Sequence, residues 1–222
     1  MLDFGFYNMD CIEGMKQFPD KYFDLAIVDP VYGDVTQGGY MKNLDSTTKL
    51  AKPRQYHLGL WNQQKTSPEY FKELLRVSKN QIVWGGNYFA NSLPESQCWV
   101  VWDKERTGGF ADFEMAWTSF NRAARIFRFM WNGMMQGDMK NKEYRIHPTQ
   151  KPVALYEWLI TQFAKEGDII LDTHVGSASS LIACHRTRHK FVGFEIDEIY
   201  YKEAKERLEA ETAQRTIFDY ME

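Results

Sequence analysis

The stretch 168–195 limits the fold more than any other part of this chain. Asp168-Ile169-Ile170-Leu171-Asp172 is a short apolar run, Gly176-Ser177-Ala178-Ser179 a tight turn, and Leu181, Ile182 and Cys184 fall on one helical face. Phe191-Val192-Gly193-Phe194-Glu195 is a second apolar run. Strand, turn, helix and strand at these lengths form a βαβ unit, whose strands are parallel and whose crossover is right-handed. A parallel pair must be covered on both faces, so the unit implies a sheet with helices on either side.

The rest of the chain supplies the other layers. Asp24-Leu25-Ala26-Ile27-Val28 stops at Asp29-Pro30, as a buried parallel strand stops at a loop. Ser67 can cap a helix with Pro68 in its first turn and Phe71, Leu74, Leu75 and Ser78 on one face. Gln81-Ile82-Val83-Trp84 reads as a strand broken by Gly85-Gly86. Trp99-Val100-Val101-Trp102 and Glu114-Met115-Ala116-Trp117-Thr118 read as a strand pair around a turn at Gly108-Gly109. Val153, Tyr156, Ile160 and Phe163 follow Pro152 at helical spacing, with Gly167 as the stop, and a charged helix carries Tyr201, Ala204 and Leu208. The fold class is α/β, a doubly wound sheet, mostly parallel with an antiparallel strand pair at one edge.

With 222 residues, 44% of them hydrophobic, the chain can bury one core, and no compositional break divides it; a single domain over 1–222 is expected. Residues 33–66, rich in Gly, Thr, Asn, Gln and Lys, are expected to be a long mobile loop. No apolar run reaches the ~20 residues of a membrane span, and the N-terminus lacks a signal-peptide layout, so a soluble cytoplasmic protein is expected. Cys11, Cys98 and Cys184 have no C-x-x-C spacing and are expected to be reduced, buried, small apolar side chains; no metal site is predicted.

The net charge of −3 hides a pattern. Within 121–145, Arg122, Arg125, Arg128, Lys140, Lys142 and Arg145 face only Asp138 and Glu143. Within 33–66, five basic residues outnumber Asp34 and Asp45, whereas 195–222 is strongly acidic. A polyanion would approach the middle of the chain and avoid its end; ordinary solvated surface charge explains the same pattern equally well.

Two constellations carry chemistry. The strand ending at Asp172 and the turn Gly176-Ser177-Ala178-Ser179 place backbone N–H groups at a sheet's carboxyl edge, and Glu195 ends the next strand where an acid commonly accepts from ribose hydroxyls. A packing turn or a dinucleotide site would begin the same way, although G-x-G-x-x-G is incomplete here. Asp29-Pro30-Val31-Tyr32 suits the grip of a flat heterocycle by its amino group. The Asp29 carboxylate and Pro30 carbonyl can take its two N–H bonds and aim the nitrogen lone pair, and Tyr32 can stack on a base that has left the duplex. A plain strand-ending Asp-Pro turn is the competing reading.

Together with His147-Pro148-Thr149-Gln150-Lys151-Pro152, these motifs resemble the β class of S-adenosylmethionine-dependent DNA amino-methyltransferases, in which a D-P-P-Y motif precedes the cofactor half. The resemblance covers nearly the whole chain and is most specific at the hexapeptide. It implies a Rossmann-like methyltransferase sheet, S-adenosyl-L-methionine as cofactor and double-stranded DNA as partner. It implies catalytic roles for Asp29, Pro30 and Tyr32, and cofactor contacts from Asp10, Cys11, Thr149, Lys151, Asp172, Gly176, Ser177, Ser179 and Glu195. Asp rather than Ser at the tetrapeptide's first position resembles the adenine-N6 members; cytosine-N4 transfer is the alternative, as is a degenerate DNA-binding relative or a methyltransferase for RNA or a small molecule.

The family usually has Pro at Val31, Pro-Phe at Thr173-His174 and Gly at Ala178. Val31 leaves both amino-group acceptors in place, Ala178 is strained if the turn needs φ > 0, and His174 is expected to be structural. The family often carries a sizeable recognition region, and the segment available here, 121–146, is short. Arg122, Arg125 and Arg128 share a helix face or alternate with Ile126 and Phe127 on a strand edge, where phosphate contact is expected. Either specificity is relaxed, or the 33–66 loop also reads DNA, or a second subunit contributes as a homodimer.

Overall fold

Strands form where β-branched and aromatic residues alternate between two helical layers. A computed structural model describes residues 1–33, 65–105, 111–132 and 135–213. The expected loop at 33–66 therefore lies outside the described residues over 34–64, as does the Gly108-Gly109 turn.

Ten strands are described: β1 (Gly5–Asn8), β2 (Phe23–Val28), β3 (Ser78–Trp84), β4 (Trp99–Asp103), β5 (Phe113–Thr118), β6 (Arg125–Arg128), β7 (Trp131–Asn132), β8 (Met135–Gln136), β9 (Ile169–Asp172) and β10 (Lys190–Glu195). The helices are α1 (Cys11–Met15), α2 (Pro68–Val77), α3 (Val153–Phe163), α4 (Ser179–Arg186) and α5 (Glu198–Thr212), with a 3-10 turn at Gly86–Phe89. Eight strands form one sheet in the order β1-β10-β9-β2-β3-β5-β4-β6; β7 and β8 pair separately. Every neighbouring pair from β1 to β3 is parallel, β5 runs antiparallel to both β3 and β4, and β6 returns parallel to β4.

The period of two along the central strands sorts the core. Leu25 and Ile27 of β2, Ile82 and Trp84 of β3 and Ile170 of β9 pack with Leu155, Leu159, Leu181 and Ile182 of α3 and α4. Ala26 and Val28, Val83 and Leu171 pack with Met15 of α1 and Tyr70, Phe71, Leu74 and Val77 of α2. Both faces are thus covered, as parallel pairing requires. Among the described residues no helix is long and apolar enough to cross a membrane.

Some local expectations shift. Ser78 does not belong to the face of α2: it opens β3, fully buried, with its hydroxyl donated to the Leu74 carbonyl at 2.5 Å. The buried stripe of α2 is Tyr70, Phe71, Leu74 and Val77. Ser67 occupies the N-cap position, yet its side chain makes no capping bond. The helix α3 stops at Phe163, and Gly167, at φ +83°, serves the turn into β9 instead.

Gly193 marks the tightest helix-to-sheet approach in the βαβ unit: a Cβ there would lie 2.8 Å from Val175 Cγ2 and 3.0 Å from Leu181 Cδ1. Gly193→Ala is therefore expected to lower unfolding free energy by about 1–3 kcal/mol through overpacking. Urea unfolding would show this as a lower midpoint at unchanged slope.

Candidate active site

The chain winds one way from β2 through α2 to β3 and the other way from β9 through α4 to β10. Since β2 and β9 are neighbours, the loops at their carboxyl ends diverge onto opposite faces and leave a crevice. A cavity of about 270 Å³ occupies it, walled by residues from both halves of the chain.

Asp29, directly after β2, lines this cavity; Pro30 is buried behind it and Tyr32 is half-buried beside it, neither lining the cavity. The Tyr32 hydroxyl donates to Asp29 Oδ1 and Lys151 Nζ donates to Oδ2. Burial and the adjacent Asp29 charge push the Tyr32 phenol well above its usual range, which keeps it a donor. Its ring stacks on Tyr88 at 5.0 Å and 23° and lies over Gly85, whose φ of +63° and lack of a Cβ admit it: a Cβ there would be 2.3 Å from the ring. Val31, where the family has proline, fixes the loop by accepting from the Thr66 N–H at 3.0 Å and its hydroxyl at 3.1 Å.

The second wall is the turn after β9. Gly176, Ser177 and Ser179 line the cavity, Gly176 at φ +55°. Ala178 sits in the left-handed region at φ +63°, so the residue that replaces the family's glycine is strained, at a cost of about 1–2 kcal/mol. Glu195 accepts from Gly176 N–H at 2.8 Å through Oε2 and from Asp197 N–H at 2.9 Å through Oε1, fixing its carboxylate at the rim. Asp10 N-caps α1, taking Ile12 N–H at 2.9 Å and Glu13 N–H at 3.1 Å on one oxygen. Cys11 is half-buried on the cavity wall, which corrects the expectation that all three cysteines are buried. Burial, then the Asp10 charge, pushes its thiol up to about 12, so it is no nucleophile.

Asp172 does not line the cavity. It is buried behind the turn, accepting from Ser180 Oγ and from His174 N–H at 2.9 Å, and burial raises its carboxyl to about 7. Its contact is with the turn that forms the cradle. Tyr70, inside α2, reaches the same turn by a 2.5 Å hydrogen bond between its hydroxyl and that of Thr173.

The hexapeptide closes the cavity. Thr149 lines it, with its hydroxyl 3.0 Å from His147 Nδ1. Lys151, expected among the cofactor contacts, also lines it, but its ammonium is committed to Asp29 and to Glu114, 3.2 Å from Oε2. Burial alone would depress the Lys151 ammonium; Asp29 and Glu114 hold it above the usual lysine value. Burial alone would likewise raise Glu114, and Lys151 and Lys104 bring it down to about 2. Glu143 locks the assembly: it accepts from Val153 N–H at the start of α3 and from Arg207 of α5, and Arg207 also donates to the Ser177 carbonyl at 2.6 Å.

His147, Gln150, His174 and Tyr156 line the cavity as well. The first two lie in the hexapeptide, where their neighbours Thr149 and Lys151 were already singled out. Glu114 carries no motif, and Lys104 ends the family-like segment 99–104; the pairing of β4 with β5 brings the two together here.

The structure does not gather Arg122, Arg125 and Arg128. Arg122 is withdrawn from phosphate contact: its guanidinium packs 4.0 Å from the Phe163 ring and donates to Gln162 O at 2.9 Å, at the end of α3 that leads away from the cavity. Arg125 and Arg128 are exposed on β6, and an odd spacing on a strand turns them to opposite faces. Arg128 lies 3.5 Å from Asp103.

His174, neutral through burial, has its imidazole pushed down to about 4 even beside Asp29 and Asp10. A folded value below the ordinary 6.5 means the unfolded chain takes the proton first. The stability His174 contributes is full above pH 6.5 and is lost as pH falls toward 4. His174→Phe is expected to flatten that decline by roughly 1.4 kcal/mol per pH unit across the window, measured by urea unfolding at pH 6.5 and 4.5.

Comparison with known proteins agrees with this geometry. The family profile described as DNA methylase, of the N6/N4 type, matches residues 90–206. Type II methyltransferase M.HpaI of Haemophilus parainfluenzae is 45% identical over 71 residues, 32% of this chain and 23% of that protein, so the match spans less than a quarter of the relative's length. The structure of M1.HpyAVI in complex with SAM superposes with a TM-score of 0.54 at 20% identity, covering 91% of this chain and 98% of that one. The cytosine-N4-specific PvuII DNA methyltransferase superposes at 0.60 with 14% identity, covering 94% and 90%. At these identities the two structures share the Rossmann-like fold with this chain.

Proposed function

This chain belongs to the N6/N4 DNA methylase family, and from that membership we propose that it moves the methyl group of S-adenosylmethionine to the exocyclic amino group of a flipped-out base in double-stranded DNA, most favourably adenine N6. One observation carries the reading: the Asp29 carboxylate, the glycine turn and Glu195 open onto a single cavity at the seam of the sheet.

The residues present fit the cofactor. Glu195 retains lone pairs beyond those taken by two backbone N–H groups, suited to ribose hydroxyls. Met9, Ile12 and Ile196 offer apolar contact for a purine beside Asp10, and Ser177, Ser179 and Thr149 offer hydroxyls for an amino-acid tail. S-adenosylmethionine supplies a sulfonium methyl whose C–S bond pair stays with sulfur as the base nitrogen takes the methyl.

The chain's own residues do the rest. Asp29 accepts one amino N–H bond and the Pro30 carbonyl, once turned toward the cavity that Pro30 does not line, accepts the other, which draws the nitrogen lone pair out of conjugation and aims it. Tyr32 and Lys151 fix the Asp29 carboxylate by one hydrogen bond each. After transfer one N–H proton passes to Asp29 and on to water, with no covalent enzyme intermediate. Exposed Lys140 and Lys142, together with Arg128, are the phosphate contacts we assign in place of Arg122. Asp at position 29 supports adenine over cytosine.

The test is incubation with labelled S-adenosylmethionine and unmethylated duplex DNA, then digestion and mass identification of nucleosides. N6-methyladenine is expected; N4-methylcytosine would keep the mechanism and correct the base. Cofactor binding with no methylated nucleoside would overturn the reading, and methylation of competing RNA in preference would move it to another substrate. Asp29→Ala is expected to lower turnover by on the order of 10²-fold or more, with the cofactor dissociation constant nearly unchanged.

A further inference from the structure

Glu114 opens β5. Because β5 runs antiparallel to β3, its first residues lie at the carboxyl edge of the parallel strands, one strand across β3 from the end of β2. Its two oxygens are divided between two lysines: Oε2 lies 3.2 Å from Lys151 Nζ, and Oε1 accepts from Lys104 Nζ. Lys151 Nζ reaches back to Asp29 Oδ2, whose other oxygen accepts from Tyr32. The sequence of groups is Tyr32, Asp29, Lys151, Glu114, Lys104, with charges that alternate and sum to zero. The Lys151 side chain is 5% exposed, that of Lys104 13% and that of Glu114 32%, so screening is weak at the two lysines and stronger at the Glu114 carboxylate.

We propose that Glu114 is a positioning residue for the methyl transfer proposed above, on which this inference rests: as the second counter-ion of the Lys151 ammonium it keeps that ammonium shared, so that Asp29 retains lone pairs and charge for the base amino group. Two consequences of removing Glu114 support this. The Lys151 ammonium, left with one counter-ion, would turn a second N–H onto Asp29 and occupy the acceptor that the amino group needs. Lys104, Lys151 and Asp29 would then sum to +1 at the place where the base nitrogen becomes cationic as the N–C bond forms, before its proton leaves. Lys104 completes the arrangement by orienting the Glu114 carboxylate toward Lys151.

The test uses the full chain and its Glu114→Gln and Glu114→Asp variants, with three readouts. The first is the Lys151 titration, followed by NMR of [13Cε]lysine-labelled protein, with the resonance assigned by its absence in Lys151→Arg. The second is the single-turnover rate and KM on methylatable DNA. The third is the cofactor dissociation constant, with thermal unfolding as the check on folding. In Glu114→Gln the Lys151 titration is expected to move down by a unit or more, and the single-turnover rate to fall by on the order of ten- to a hundredfold. Cofactor affinity should stay within about twofold, because the cofactor site is intact, and Glu114→Asp should recover most of both changes. An unmoved Lys151 titration, or a loss confined to KM for DNA, would overturn the proposal. If wild type itself methylates no DNA, the methyl-transfer reading fails, and the NMR comparison still reports whether Glu114 holds Lys151.

Discussion

The pairing of β2 with β9 is the constraint on which the rest depends. Leu25 sits against Ile170 and Ala26 against Leu171, joining strands that are far apart in the chain. Because the crossovers that leave these two strands go in opposite directions, no helix covers the end of the seam, and the carboxyl edge is left concave there. Everything polar then converges on that gap: the loop after β2 brings Asp29, the turn after β9 brings its N–H groups, and the hexapeptide before α3 brings Lys151. Arg207 and Glu143 hold the hexapeptide to the glycine turn, so the closing segment cannot move without disturbing the cradle.

Burying so many polar groups at one place requires that each find a partner or lose its charge. Asp172 does both: it takes hydrogen bonds from Ser180 and the His174 backbone while burial lifts its carboxyl to about 7. His147 and His174 stay neutral, with imidazoles pushed down to about 3 and about 4. The tight turn between Asp172 and α4 also holds Ala178 in left-handed backbone. That residue is fully buried, so the strain is set against the burial of one methyl group, about 0.8 kcal/mol. The departure from glycine therefore leaves a net cost of about 1 kcal/mol or less for the fold.

The sheet's central strands and the cavity-lining motifs were legible because both depend on local signals: apolar runs stopped by Asp29-Pro30 or by Asp172, and turns that need glycine. Other features were not. β1 is four residues long, and its apolar content is no greater than that of many loops; it is a strand because β10 offers it a parallel edge from Gly5 to Asn8. At 125–128 helix and strand patterns fit equally, and pairing with β4 decides for strand. Arg122 was legible as a charge but not as a stacked one, since its contact with Phe163 joins distant segments. Glu114 was invisible for the same reason: a carboxylate near the start of an antiparallel strand has no signature until the fold places it beside Lys151.

The charged network at the seam is better explained by chemistry than by stability. Burying an ammonium and two carboxylates costs several kcal/mol per ion before their attraction returns it, and well-packed apolar side chains in the same space are commonly as stable or more so. Trp84 and Trp102 pack as a 6.4 Å edge-to-face pair in the same core, and both lysines lie over these rings, Lys151 at 5.4 Å from Trp84 and Lys104 at 5.0 Å from Trp102. An apolar filling was therefore available at this spot. What it would lack is a half-buried carboxylate at the end of β2 that, beside its bonds from Tyr32 and Lys151, still has a lone pair for an amino N–H bond. Asp29 meets that condition when Lys151 lies next to it, and Lys151 stays from monopolising it when Glu114 and Lys104 lie beyond. The alternation of charge thus leaves the Asp29 carboxylate with an acceptor available at the mouth of the cavity.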